Sequence, residues 1–145
     1  MPLILNPLVT GIEEPPISEA HSWLDGLEAA ADKPLIDLAQ AAPGYPPEEG
    51  LRHYLAAEVM QPATSRYTDI EGLPLLRQLL ASDMSETYQG EVTASQVLIA
   101  AGCNQSFYLT AMTLCQPGDA MLVVCPWYFN HRMTLDMLGV EPVPL

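Results

Sequence analysis

The chain has 145 residues, enough for one domain with a core, and its 49% apolar and 16% charged content is that of a globular protein. Five basic residues against eighteen acidic ones leave a formal charge of −13. That excludes nucleic acid as a partner, because displacing counterions from phosphates takes lysine and arginine, and it disfavours anionic membranes. No apolar run approaches the roughly 20 residues of a bilayer span, and the opening MPLILNPLVTGI lacks the positive flank of a secretory signal. Cys103, Cys115 and Cys125 lie in apolar segments without metal-ligand spacing, and are expected as buried, reduced thiols of a cytoplasmic protein.

Residues 1–16 carry four prolines and no helical period, which predicts an extended arm. Ser18 is expected to cap a helix of about fourteen residues, with Leu24, Leu27 and Ala31 on one stripe and Pro34 beyond its end. Leu35 to Leu38 reads as a short strand. AAPGYPPEEG is loop by composition, and Pro47 is placed as the first residue of a helix running to about Met60, with Leu51, Leu55 and Val59 inward. Residues 73–88 are expected as a further helix, with Leu76, Leu79, Leu80 and Met84 inward.

From there the pattern alternates. Val97 to Ala101 reads as a buried strand, Gly102 as a turn, and 104–115 as a helix. Such a helix start offers unpaired N–H groups and the positive end of a dipole, a seat for a phosphate, although many ordinary strand-to-helix turns look the same. Gln116-Pro117-Gly118-Asp119 is a turn, Ala120 to Cys125 a strand, Phe129 to Leu138 a helix ended by Gly139, and Val140 to Leu145 a third strand. This order predicts an α/β fold with a parallel sheet covered on both faces and ligands at the carboxyl ends of its strands.

LAQAAPGYPP, RYTDIEGLPLLR, IAAGCNQS and QPGDAMLVVCPWYFNH follow one another at spacings that, taken together, carry a family likeness. The chain resembles the class I/II aminotransferases, fold-type I enzymes that depend on pyridoxal 5'-phosphate, well over residues 35–145 and loosely before. The resemblance implies an incomplete three-layer α/β/α large domain over 47–145, preceded by an arm and small-domain segment over 1–46. It implies that Gly102, Cys103 and Asn104 present donors to the cofactor phosphate and that Tyr128 stacks on the pyridine ring, with Trp127 left to packing. It implies that Tyr67 reaches across a homodimer to the partner's cofactor phosphate, that Gly72 permits a turn, and that Arg77 makes a structural salt bridge. Ala41 stands where the family often has glycine behind the substrate carboxylate, so its methyl would narrow that pocket. Asn130 and His131 are expected only as helix-start residues.

The activity so implied is transfer of an amino group from an amino acid to a 2-oxo acid. The family's cofactor-bonding lysine, the acid at the pyridine nitrogen and the substrate-gripping arginine lie beyond the matched segments. Lys33, the one lysine here, precedes the motifs and is no substitute, so the expectation is an amino-terminal third, inactive alone. The family's strand order also implies that Val97–Ala101 does not pair with Ala120–Cys125. Lyase or decarboxylase chemistry on the same scaffold and a noncatalytic binding remnant stay open. A Rossmann-type nucleotide binder is set aside, since no Gly-x-Gly-x-x-Gly follows a strand.

Overall fold

The computed structural model describes residues 3–28, 32–38, 40 and 42–145. They fall into two units, one of residues 42–100 and one joining 1–41 to 101–145.

In the unit joining the two ends, the arm is not wholly extended. Asn6 accepts a hydrogen bond from the Leu8 N–H at 3.0 Å and Pro7 starts a single turn of helix, α1 (Pro7–Thr10). Proline read from sequence as a breaker acts here as a first helical residue, where its missing N–H costs nothing. The same effect moves the next helix forward: α2 runs Pro16–Ser22, seven residues rather than fourteen, and Ser18 is inside it rather than capping it. Gly26 at φ +80 turns the chain soon after. Leu24 and Leu27 therefore lie beyond the helix, and Ala31 lies outside the described residues. Leu35–Leu38 forms no strand and is exposed.

The rest of this unit follows the expected alternation: α5 (Cys103–Leu114), β1 (Ala120–Val123), α6 (Phe129–Leu138) and β2 (Glu141–Pro144). The strands pair in parallel, from Ala120 opposite Glu141 to Val123 opposite Pro144. Asp119 closes the turn before β1 by accepting from the Gln116 N–H at 2.9 Å. Gly139 ends α6 at φ +70, and a side chain there would meet Pro117 and Leu8, so α1 packs close over this turn. Leu135, Ala111 and Val140 are buried together, and Phe107, Cys115, Met121, Val123 and Leu138 pack around them. Only one face of the sheet is covered: Met121 and Val123 face this core, while Leu122 on the other face is 65% exposed. Two strands make too narrow a sheet to be sandwiched by the helices present. The thiols differ from expectation for the same reason. Cys103 and Cys125 are exposed and Cys115 half-buried, all three free.

In residues 42–100, Glu48 rather than Pro47 starts α3 (Glu49–Val59), its carboxylate accepting from the Leu51 N–H at 3.0 Å. A one-turn helix (Pro62–Ser65), α4 (Pro74–Tyr88) and another single turn (Ala94–Gln96) follow. The leucine stripes are not inward. Leu51, Leu55, Val59, Leu76, Leu79 and Leu80 are all exposed, Met84 is half-buried, and Ala81 alone is buried on α4. Val97–Ala101 is extended but has no strand partner among the described residues; the Ile99 N–H instead donates to the Glu71 carbonyl at 2.9 Å. Gly72, at φ +100, lies so close to Ile99 that a Cβ would come within 2.6 Å of its side chain. Arg77 forms backbone hydrogen bonds where a salt bridge was expected: its guanidinium donates to the Ala94 and Val97 carbonyls at 2.6 to 3.1 Å. Those carbonyls lack strand partners, and an arginine fork satisfies several acceptors at once.

Among the described residues only Ala81, Val97, Ala111, Thr134, Leu135 and Val140 are buried. So little burial does not offset chain entropy. The chain alone is expected to give a broad, non-cooperative thermal unfolding with strong binding of a hydrophobic dye; a sharp monomeric calorimetric transition would overturn this. A second expectation concerns Glu48. Backbone N–H groups of Gly50, then Leu51, hold its carboxyl below the ordinary value. A depressed carboxyl stabilises the folded helix above its unfolded pKa and loses that effect as pH falls through the folded value. The Leu51 amide resonance should therefore shift on acidification, at a pH below that at which an ordinary glutamate titrates, and Glu48→Gln should abolish that shift.

Candidate functional site

The site is built on the start of α5. Gly102 precedes it at φ +90, ψ 172, a conformation closed to other residues, and nothing lies within 4 Å of where a Cβ would stand. The N–H groups of Cys103, Asn104 and Gln105, in the first turn, have no intrahelical acceptor, and among the described residues no side chain caps the helix. The turn itself is pinned from within the helix. Gln105 Oε1 accepts from the Ala101 N–H, and the Ser106 N–H and Oγ both reach the Gly102 carbonyl, at 3.1 and 3.2 Å. Residues 101–106 are exposed, so the backbone donors and the Cys103 thiol face solvent.

Tyr128 caps the start of α6 and is 46% exposed. Two rings, His131 and Phe107, tie it to α5. His131 stacks on Phe107, one turn into α5, with centroids 4.0 Å apart and planes at 18°. Tyr128 meets His131 edge-on at 5.5 Å and Phe129 at 4.8 Å. Asn130 Nδ2 donates to the Tyr128 hydroxyl oxygen at 2.8 Å. Trp127 packs under the Arg132 guanidinium, 5.8 Å from its ring centroid.

Of the residues singled out from sequence, Gly102, Cys103, Asn104 and Tyr128 thus belong to one unit. Tyr67 belongs to residues 42–100, where its side chain is fully exposed. Ala41 lies outside the described residues. Asn130 and His131, expected as helix-start residues, are the second and third residues of α6; what sequence reasoning did not anticipate is their contacts, and His131 Nε2 is buried with no hydrogen-bond partner among the described residues. The available signal was the four-residue spacing that puts His131 on the same stripe of α6 as Leu135. Among the described residues no cluster of three or more His, Cys, Asp or Glu is placed to hold a metal ion.

The arrangement suits a ligand with an anionic end and a flat heterocycle. Uncapped amides and the helix dipole suit the anion, the open space at Gly102 admits it closely, and an accessible phenol suits the ring. Pyridoxal 5'-phosphate has that composition, so the residues present fit it.

The family model for aminotransferase class I and II matches residues 28–145. An aromatic aminotransferase of Arabidopsis thaliana is 36% identical over 108 residues, 74% of this chain and 27% of that protein. An aspartate aminotransferase of Streptomyces avermitilis is 29% identical over 114 residues, 79% of this chain and 28% of that one. Among solved structures, an Escherichia coli protein identified as having a methionine aminotransferase function superposes with a TM-score of 0.81 at 20% identity. The match covers 99% of this chain and 36% of that one, and shows a shared fold. The chain spans between a quarter and a third of the two curated relatives described here. No helix among the described residues is long and apolar enough to cross a membrane. With the family model covering most of its length, the chain belongs to the class I and II aminotransferases.

Proposed function

We propose that this chain supplies the phosphate seat and the ring-stacking face of a pyridoxal 5'-phosphate-dependent aminotransferase acting between an amino acid and a 2-oxo acid. The observation that carries the reading is the uncapped start of α5 behind Gly102, joined to Tyr128 through the Phe107–His131 stack. When bound, the cofactor supplies an electron-withdrawing ring that accommodates negative charge arising at the substrate Cα. The residues of this chain bind and orient. Backbone N–H groups of Gly102, Cys103 and Asn104, with the Asn104 side chain, hold the phosphate, and Tyr128 covers one ring face.

Tyr67, exposed and free to project, reaches the cofactor phosphate of a second copy in a homodimer. Ala41 narrows the space behind the substrate carboxylate. No residue here is assigned to proton transfer, and Lys33 takes no part. The free thiols suit a reducing cytoplasmic setting.

Pyridoxine 5'-phosphate, which lacks the reactive aldehyde, tests the seat. It should shift the amide resonances of residues 103–105, and dephosphorylated pyridoxine should not; equal shifts from both compounds would remove the phosphate seat. Gly102→Ala places a side chain at φ +90 and should weaken that binding by about tenfold, read from the same titration; unchanged affinity would contradict the close approach.

A further inference from the structure

Resting on the reading just given, we propose that Asn130 is a positioning residue that sets the plane and hydrogen-bonding direction of Tyr128. A tyrosine at a helix cap with nearly half its surface exposed has little packing to fix its ring, and rotation about χ2 would turn its face away from any ligand. The contacts around Tyr128 come from the first turn of α6. His131 meets one edge and Phe129 is tilted against the ring, both contacts that leave the phenol able to slide. The Asn130 amide is different in kind, because it grips the far end of the side chain at 2.8 Å.

The polarity of that bond also has a consequence. Asn130 Nδ2 donates and the phenol oxygen accepts, so the hydroxyl hydrogen is left free to be given to something else. A carboxamide two residues along, at the second position of α6, places the donor 2.8 Å from the phenol oxygen. Asn130 therefore acts through Tyr128 and touches no ligand itself. Its effect on binding must vanish when the tyrosine hydroxyl is absent.

The test is a double-mutant cycle in the full chain with pyridoxine 5'-phosphate as probe, following the amides of residues 103–105 and the ring resonances of labelled Tyr128. Asn130→Ala should move the Tyr128 ring resonances and weaken binding by about fivefold, the usual worth of one hydrogen bond. In a Tyr128→Phe background the same substitution should cost nothing further. An equal loss in both backgrounds would show that Asn130 acts through α6 rather than through the phenol, and would overturn the proposal. So would unchanged affinity in Asn130→Ala while the wild type binds, an outcome that leaves the phosphate seat standing. If the wild type takes up no probe, the reading of the site fails. The free chain then still decides the contact: a ring unmoved by Asn130→Ala overturns it, and a moved ring supports it.

Discussion

Leu135 has no exposed surface, and it lies where α5, α6 and the strand pair meet. It packs with Ala111 of α5 and with Val140 just beyond the Gly139 turn. One turn back along each helix stand Phe107 and His131, whose rings stack. The residues pair off at four-residue intervals, Phe107 with Ala111 on one helix and His131 with Leu135 on the other. The aromatic stack is thus the outer continuation of the core contact. Two contacts therefore hold α6 against α5, Leu135 on Ala111 near its C-terminal end and His131 on Phe107 in its first turn. Tyr128 inherits its position from that core.

Outside this contact the chain buries little. Leu51, Leu55 and Val59 fall on one stripe of α3 and none is buried. The side chains that do settle in residues 42–100 settle on backbone. Arg77 gathers carbonyls of the 94–97 turn, and Ile99 lies against Gly72. Hydrogen bonds of this sort specify a local path, but they add little net stability because water competes for the same groups. Local geometry in that unit is consequently better defined than its burial would suggest.

The same distinction explains what could be read from the sequence. Gly102, the Pro117-Gly118-Asp119 turn and Gly139 mark their elements correctly because each acts through its own backbone. A left-handed glycine or an aspartate cap needs no distant partner. Helices α5 and α6 and the parallel strand pair were legible for that reason. The strand expected over Val97–Ala101 was not realised, since a ladder needs a neighbour that periodicity cannot supply. The leucine stripes of α3 and α4 identified a face without identifying anything to cover it. Prolines misled in the arm because a breaker and a first helical residue look alike until the preceding cap, Asn6 for α1, is taken into account. The uncapped helix start behind Gly102 was legible, as was the place of Asn130 and His131 at the start of α6; the contacts those two side chains make with Tyr128 and Phe107 were not.

A seat made of amides has an electrostatic consequence in so acidic a chain. With a net charge of −13, the summed field repels a phosphate at long range, whereas the helix donors act only within the first turn. Arg132, the basic residue of the unit that lies beside the aromatic cluster, is already engaged by Asp136 at 3.6 Å and by the Trp127 face. Screening at physiological salt confines the repulsion to about 8 Å, so the proposed seat would work at contact rather than by attraction from afar. An anion held only by such donors would bind weakly. A ligand that also offers a flat ring to Tyr128 gains contact area that no simple phosphate can match. On the proposed reading, selectivity would rest on the ring face as much as on the anion, and the orientation of one phenol would be the variable that decides it.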